Sequence, residues 1–467
     1  MDESGATEDG DSSLSTDKQE LLVVVISPKG DLILDVIFTT SKETLKAARK
    51  ANTVRLGQAK YRPPLKSRVR VGYRVQLDVL KKHSRYFENL LSDPRFQEAK
   101  TIAAALSRLS LQKVSAADAE EKDLPRVQIV DDDEATRSSG RDAVFADLLR
   151  ILHGHDAAQK APSLSYVAVL AVLADRFDCA EPVSRYLKSG LKFKWPVTRV
   201  PPRDDDARLS TAAEEVIRQK ILVSWVLDQP TRMQVATREL IMYGSRRWSV
   251  FPDTEMTGAA WWDLPDDLEN ELQYRRECIL NTIASAIQHF LALYTSRNRQ
   301  CRLGYDSSAA CDSYQLGEMV RFLTSRRLLY LVDFSPASVD KVSDSSQTEI
   351  GGIIATLKQC PAYQIDKNHT NCGLRIRLLP ILELIQSMLS SNVIAIPRLP
   401  WKRDRAATSW IPKGGDDDRD GDEDRRVFRF THGLAADERL RYEGTMAADR
   451  LARQLFTARS WDWTPDS

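Results

Sequence analysis

The chain has 467 residues, of which 42% are hydrophobic, and its 67 lysines and arginines almost cancel its 66 aspartates and glutamates, for a net charge of +1. This length predicts about three domains of ~150 residues each, and the balanced charge argues against a nucleic-acid-binding protein. No apolar run in the sequence approaches the ~20 residues that span a bilayer, so we expect no membrane partner.

The beginning of the sequence favours an intracellular protein. Residues 1–18 are acidic and polar, and we predict a disordered tail there. A secretory signal needs a basic start and an apolar middle, and a mitochondrial presequence is rich in arginine and poor in acids, so neither is predicted. Six cysteines in so long a chain do not form a disulfide framework. We therefore expect the protein in the cytoplasm or the nucleus.

The next segment carries strand and helix patterns in turn. Two β-rich runs, residues 21–26 and 32–38, flank a Pro- and Gly-containing turn at 27–31 and predict a hairpin. The alternation of Tyr73, Val75 and Leu77 predicts a further strand. From Val79 to Leu91 apolar residues recur every three or four positions, which predicts one helix that Pro94 ends.

More strands and helices follow, with two inserts between them. Residues 126–130 predict a short strand, and residues 145–154 and 166–179 predict two strongly apolar helices. The inserts cover residues 40–68, which are basic, and 101–124, which are rich in Ala, Ser and Glu. We expect the second insert to be a mobile helix or loop.

This order of strands, helix, strand and paired helices, with Ser84 before Tyr86 and Phe87, resembles a BTB/POZ domain over residues 19–197. The pieces Leu-His-Gly at 152–154 and Leu-Ala-Asp-Arg-Phe-Asp-Cys at 173–179 are most similar to the fungal branch of that family. The resemblance implies an α/β domain that binds proteins and catalyses no reaction. Its partner would be a second copy, giving a homodimer, or another protein.

A short motif in this domain suggests a more specific partner. Phe96-Gln97-Glu98 is similar to the apolar-x-Glu motif by which some BTB domains bind a cullin. The resemblance therefore makes Phe96 and Glu98 candidate partner-binding residues and implies an alternative function, a substrate adaptor of a cullin-type ubiquitin ligase. The simpler alternative is that Phe96 packs locally and Glu98 is solvated.

A charged, Pro-rich linker is predicted at residues 198–208, and residues 209–396 then show helical periodicity. We predict helices at 213–227, at 234–243 with Gly244 as its cap, and at 268–294, 314–329 and 374–389, with a polar loop at 335–346. The predicted fold is thus an α/β BTB/POZ-like N-terminal domain, a mainly α-helical region and disordered termini.

Residues 397–467 predict a partly disordered tail. It contains an acidic run at 414–424, which we expect to be solvated, and a last helix at 435–457. Trp461 and Trp463 follow that helix without an obvious core. They either dock on the body of the protein or stay free for a partner.

The catalytic motifs that sequence can show are missing, so we expect no enzyme. The chain has no G-x-x-x-x-G-K-[ST], no G-x-G-x-x-G, no H-E-x-x-H and no G-x-S-x-G. His153-Gly154-His155 has the spacing of a metal-binding H-x-H, but its place at the end of a predicted helix favours a capping role.

Four residues of the helical region form a candidate metal site. Cys301, Cys311, His369 and Cys372 supply three sulfurs and one imidazole, the donors that zinc prefers, with Cys278 and Cys360 as spares. Cys301 and Cys311 lie in a polar segment that a metal can stabilise. Four protein ligands would make a structural zinc site with no position for substrate. The alternatives are inert buried thiols or a metal-dependent enzyme with an open coordination position.

Overall fold

The computed structural model describes residues 21–54, 65–198, 210–249, 258–304, 306–332, 348–370, 372–412, 427–441 and 446–464. The protein is mixed α/β and mostly helical. Contacts between residues divide it into two compact units, residues 1–158 with 176–182, and residues 159–175 with 183–467. The predicted acidic tail at 1–18, nearly all of the linker at 198–208, the polar loop at 335–346 and the acidic run at 414–424 lie outside the described residues.

The first unit contains a four-stranded sheet with the order β1-β3-β2-β4. Its strands are β1 (Val23–Val25), β2 (Leu32–Thr39), β3 (Arg68–Val75) and β4 (Arg126–Asp131). Strand β3 runs parallel to β1 and antiparallel to β2, and β2 runs parallel to β4. All but the last residue of β2 are buried, as expected for a strand with a neighbour on each side.

The predicted hairpin between residues 21–26 and 32–38 is therefore wrong, because β3 lies between β1 and β2. The turn folds around the end of β3 instead. The backbone N–H groups of Ile26 and Asp31 donate to the carbonyls of Arg74 and Val75, at 3.1 Å and 3.0 Å. A Cβ atom on Gly30 would lie 2.8 Å from the backbone nitrogen of Val75, so only glycine allows this close approach.

The predicted strand at residues 73–77 is confirmed as the end of β3 only as far as Val75, because Leu77 already begins a helix. The single helix predicted after it is two helices. These are α2 (Leu77–His83) and α3 (Arg85–Ser92). Ser84 separates them because its hydroxyl accepts the Phe87 N–H at 3.0 Å and donates to the Phe177 carbonyl at 2.6 Å. This N-cap starts a new helix without interrupting the apolar stripe. Phe87 and Phe177 stack with their ring centroids 5.5 Å apart.

Both inserts contain a helix, α1 (Lys42–Val54) in the first and α4 (Gln97–Leu111) in the second, and the predicted strand at 126–130 is β4. Helix α5 (Arg141–Leu152) follows. Its first residue, Arg141, is buried and pairs with the buried Asp131 at 2.6 Å. Arg176 contacts the other oxygen of the same carboxylate at 2.5 Å. Two arginines thus neutralise one carboxylate at the end of β4.

The division of the chain into two units falls within α6 (Leu164–Arg176) and α7 (Ala180–Ser189), so each of these helices has residues in both units. The helices after α7 belong to the second unit. The longer ones are α8 (Thr211–Val226), α9 (Pro230–Tyr243), α10 (Leu268–Thr295), α11 (Ser308–Ser325), α12 (Ile350–Leu357) and α13 (Leu374–Met388). Four of the five helices predicted in this region are confirmed, with Gly244 as the cap of α9 at φ +82°. The helix predicted at 314–329 begins and ends earlier, as α11. Helix α12 was not predicted.

The core of the second unit is built around α10. Among the described helices, α10 is the one long and apolar enough to cross a membrane by length and composition. Its residues Ile279, Ile283 and Phe290 pack in a large apolar cluster with residues of α8, α9 and α13. A core helix meets the same length and composition test.

A buried ion pair lies within this core. Glu271 and Arg275, one turn apart on α10, are joined by a hydrogen bond of 2.6 Å and are at most 1% exposed. Arg275 also donates to the carbonyls of Ala395 and Thr408, at 2.6 Å and 3.0 Å, and lies over the ring of Trp410. The pair therefore connects α10 to the chain after α13.

The C-terminal part of the second unit differs from the predicted helix at 435–457. It contains α14 (Arg398–Arg403), α15 (Arg405–Thr408), α16 (His432–Ala436), a 3-10 turn (Glu438–Arg441) and α17 (Met446–Phe456). The Asp437 carboxylate accepts the Arg439 N–H at 2.9 Å, and this local bond competes with continuation of the helix.

The two tryptophans at the end of the tail are docked. Strands β5 (Val427–Arg429) and β6 (Ser460–Asp462) pair in parallel, and Trp463 follows them into the core. Trp463 is fully buried, and its indole N–H donates to the Ser285 hydroxyl of α10 at 2.9 Å. Trp461 is half-buried and donates to the Leu455 carbonyl at 2.8 Å. The described residues after 397, which the sequence predicted as a partly disordered tail, thus pack into the same core as the helical region.

Candidate metal centre

The four predicted ligands come together in the second unit. Cys301, Cys311, His369 and Cys372 each present one ligand atom, and these atoms all lie within 4.8 Å of one another. Cys301, Cys311 and His369 are buried, and Cys372 is half-buried. The cluster can hold a metal ion.

Three pieces of chain supply these ligands. Cys301 follows the end of α10, Cys311 lies in the first turn of α11, and His369 and Cys372 lie just before α13. Cys301 and Cys311 are close in sequence, and His369 and Cys372 follow much later, so a bound metal would connect three helices near their ends.

The polar segment before α11 is ordered by one carboxylate. Asp312 accepts the backbone N–H of Gln300 at 2.8 Å and that of Cys301 at 2.9 Å. Gly304 then turns the chain at φ +73°, which favours glycine. Arg377 of α13 donates to the Gln300 carbonyl at 3.1 Å, so the same segment is also fixed to α13. These contacts position Cys301.

The distances within the cluster fit tetrahedral zinc. Bonds of about 2.3 Å to sulfur and about 2.0–2.1 Å to nitrogen place two sulfurs about 3.8 Å apart, and a sulfur and a nitrogen about 3.5–3.6 Å apart. The sulfurs of Cys301 and Cys372 are 3.6 Å apart. The Nδ1 atom of His369 lies 3.4 Å from the first sulfur and 3.7 Å from the second. All three distances agree with the tetrahedral values within about 0.2 Å.

The second nitrogen of His369 has its own partner. Nε2 lies 2.9 Å from the Ser307 hydroxyl, and the Asp366 carboxylate is 3.8 Å away. A proton on Nε2 that is donated to Ser307 leaves the lone pair of Nδ1 directed at the cluster. Such a hydrogen bond is the usual way in which proteins orient a metal-binding imidazole.

The electrostatics of the thiols also favour a cation. Burial raises the pKa of Cys311 to about 12, with a further contribution from the neighbouring sulfurs of Cys372 and Cys301. Burial also raises the pKa of Cys372. At Cys301 burial acts in the same direction, but hydrogen bonds from Ser308, the Leu303 amide and the cluster together lower the pKa to about 7. Without a cation, the negative charge of one thiolate opposes the ionisation of the neighbouring thiols. A divalent metal removes this repulsion between the sulfurs.

The spare cysteines and the H-x-H motif are not part of this cluster of described residues. Cys278 and Cys360 lie elsewhere, and burial raises the pKa of each thiol to about 11. His153 is the cap of α5, as the sequence predicted, with Nδ1 2.8 Å from the Leu149 carbonyl. Its Nε2 accepts the Gln76 N–H at 3.0 Å.

The two predicted partner-binding residues lie on the first unit. Phe96 is the N-cap residue of α4 and keeps 41% of its surface exposed, and Glu98 is half-buried in the first turn of that helix. Tyr86 on α3 is also exposed. Burial raises the pKa of Tyr86, and the charge of Glu98 adds to this effect.

Comparisons of the chain with protein-family models, with curated proteins and with solved structures found no match. The role of the centre is therefore inferred from its own residues.

Sequence patterns predicted the four ligands but missed the groups that orient them. Ser307 directly precedes α11 and Asp312 lies within it, and Ser and Asp are common near the start of a helix for local reasons, so neither stands out. The weak signal is their nearness to the ligands in sequence, because Ser307 lies between Cys301 and Cys311 and Asp312 directly follows Cys311.

Proposed function

We propose that this protein is a non-enzymatic protein-interaction protein, with a BTB/POZ-like N-terminal unit that binds protein partners and a structural zinc that stabilises the helical unit. The observation that carries this proposal is the closed ligand set. Around a tetrahedral metal, Cys301, Cys311, His369 and Cys372 would fill all four positions, so none would remain for a substrate or a catalytic water.

The zinc would act as a cross-link. It would hold the first turn of α11 and the residues before α13 against the segment that follows α10. That segment, residues 296–311, is largely polar and offers little apolar surface to bury. A structural zinc contributes folding free energy directly, so it can order a segment that has a small core.

The order of elements in the first unit supports the BTB/POZ-like assignment. The antiparallel pair β2–β3 is followed by α2 and α3, and β4 then adds to the other side of β2 before α5 begins. Such a unit would self-associate as a homodimer or dock another protein. We propose no nucleic-acid or membrane partner, and a location in the cytoplasm or nucleus, where thiols stay reduced.

One observation favours a second candidate function, a substrate adaptor of a cullin-type ubiquitin ligase. Phe96 keeps an exposed ring at the start of α4, and Glu98 follows it in the first turn of the same helix. An exposed aromatic group beside a charge is the kind of surface that anchors a protein partner.

Metal analysis tests the zinc. The full chain, purified without chelators, should carry about one zinc, and its removal should lower the melting temperature of the second unit. Cys372→Ser should have the same effect. Cys360→Ser, which changes a buried thiol outside the cluster, is the matched control and should keep the zinc. A chain that stays metal-free in the presence of zinc and reductant would refute the structural zinc.

Purification of the tagged protein from its own cells tests the interaction. A cullin recovered in near-stoichiometric amount, and lost in the double variant Phe96→Ala/Glu98→Lys, would support the adaptor function. Leu111→Ala, at the other end of α4 and 86% exposed, is the control and should retain binding. Recovery of only the chain itself, or of a non-ligase protein, would leave the leading proposal and exclude the adaptor.

A further inference from the structure

We propose that Cys301 and Cys372 are a peroxide-reactive pair, which hydrogen peroxide converts to a disulfide with release of the zinc. The centre would then be an oxidative modification site as well as a structural one. This inference rests on the proposed structural zinc and adds a chemistry that the zinc alone does not imply.

The first observation is the distance between the two sulfurs. They lie 3.6 Å apart, and a disulfide bond is about 2.05 Å long, so about 1.5 Å of movement brings them to bonding distance. Both residues lie in irregular chain between helices, Cys301 after α10 and Cys372 before α13. Such segments absorb a shift of this size more easily than a residue within a helix.

The second observation is the difference in access among the three thiols. Cys372 is the half-buried member of the cluster, whereas Cys301 is 5% exposed and Cys311 is fully buried. Cys311 is also fixed in the first turn of α11, where its N–H donates to the Ser307 carbonyl at 2.9 Å. A small oxidant therefore reaches Cys372 first, and Cys301, which lies outside the helices with its sulfur 3.6 Å away, is the neighbouring partner.

The chemistry is a two-electron oxidation by one peroxide. The Cys372 thiolate attacks one peroxide oxygen, the O–O bond breaks, and the departing hydroxide takes a proton from solvent to give water. The resulting sulfenic acid has one S–O bond. The Cys301 thiolate then attacks the Cys372 sulfur, the S–O bond breaks, and the second hydroxide also becomes water with a solvent proton. Two thiolates, one hydrogen peroxide and two protons thus give one disulfide and two waters.

The product no longer holds zinc tightly. The disulfide removes two of the four donors, which leaves only Cys311 and His369. The connection among α10, α11 and α13 then depends on the remaining hydrogen bonds, such as those of Asp312 and Arg377 to the segment at 300–301. Reduction by a dithiol and return of zinc should restore the original site, because sulfenic acid and disulfide are the reversible steps of thiol oxidation.

The experiment uses the full chain, loaded with zinc and freed of excess reductant. Hydrogen peroxide is added in small molar excess, zinc release is followed with a chromogenic chelator, and the disulfide is located by non-reducing peptide mapping. We expect about one zinc released per chain together with a Cys301–Cys372 disulfide, both reversed by dithiothreitol and zinc. The control Cys360→Ser should behave like the natural chain.

Four results would overturn the inference, and they are distinguishable. A chain that keeps its zinc under peroxide, or that loses it with a disulfide to Cys311 or with irreversible oxidation, refutes the peroxide-reactive pair and leaves the structural zinc intact. A chain that binds no zinc before oxidation refutes the proposed zinc itself, and with it this inference. Cys372→His replaces the reactive sulfur by another zinc donor, and we expect that variant to release zinc at least ~10-fold more slowly. If the variant binds no zinc, the peptide map of the natural chain decides.

Discussion

The buried pair of Glu271 and Arg275 allows a quantitative test of the core of the second unit. Arg275 is 1% exposed and Glu271 is fully buried. Burial lowers the pKa of Arg275, and the Glu271 carboxylate opposes that effect. In Arg275→Met the carboxylate would stay buried without its cation, and the carbonyls of Ala395 and Thr408 would lose their donor.

Removing one partner of a buried ion pair costs about 3–5 kcal/mol. For a unit of about 300 residues, at ~2.1 cal/mol/K per residue, that loss corresponds to a melting temperature lower by about 5–8 °C. Differential scanning calorimetry of the full chain measures it, and the transition of the second unit is the one that zinc removal shifts. The double variant Glu271→Met/Arg275→Met should lose less than the sum of the two single losses, because it leaves no unpaired charge.

Arg321→Met is the matched control. Arg321 is 80% exposed and lies 3.4 Å from Glu318 on α11, and an exposed pair of this kind contributes about 0–1 kcal/mol. We expect a change of less than about 0.5 kcal/mol in that variant. Equal shifts for Arg321→Met and Arg275→Met would refute the reasoning, since they would mean that the burial of Arg275 carries no energetic consequence.

Three further predictions follow from single contacts. Ser307→Ala should weaken zinc binding by about 10–100-fold in a competition titration with a chelator, because His369 loses its orienting hydrogen bond. Ser313→Ala, at an exposed position of α11, is the control and should leave zinc binding unchanged. Burial lowers the pKa of His153 from its ordinary 6.5, so the unfolded chain binds a proton that the folded chain does not, and the first unit should lose stability as the pH falls below about 6.5, by at most ~1.4 kcal/mol per pH unit. Denaturation curves at several pH values should show a weaker dependence in His153→Gln, and an unchanged dependence would contradict this assignment. Trp463→Ala should cost about 3–5 kcal/mol in urea denaturation of the second unit, and a loss below about 1 kcal/mol would mean that the docked indole is not part of the core.

Local patterns predicted the strands of the first unit and many of the longer helices, because apolar spacing reflects which face is buried. The alternation at Tyr73 and Val75 corresponds to β3, and the helical periodicity at 268–294 corresponds to α10. Pairing was not predictable in the same way. Two β-rich runs next to each other in sequence suggested a hairpin, but β3, about thirty residues after β2, took the place between them.

Helix boundaries failed where a side chain bonds to the nearby backbone. Ser84 starts a new helix by accepting the Phe87 N–H, and the apolar period continues through the break, so the pattern alone cannot reveal it. Asp437 similarly ends a helix by bonding to Arg439. For the metal centre, the sequence supplied the donor types, but their convergence depends on how α10, α11 and α13 pack.

The docking of Trp463 on α10 has a consequence for the order of events during synthesis. The indole contacts Ser285, which is 178 residues earlier in the chain. At about 5–20 residues per second a ribosome needs roughly 9–36 s to make that stretch. During this interval α10 has emerged with an apolar face that its final neighbour cannot yet cover. We therefore expect the nascent second unit to be a client of chaperones that bind apolar helices, and to complete its fold late in translation.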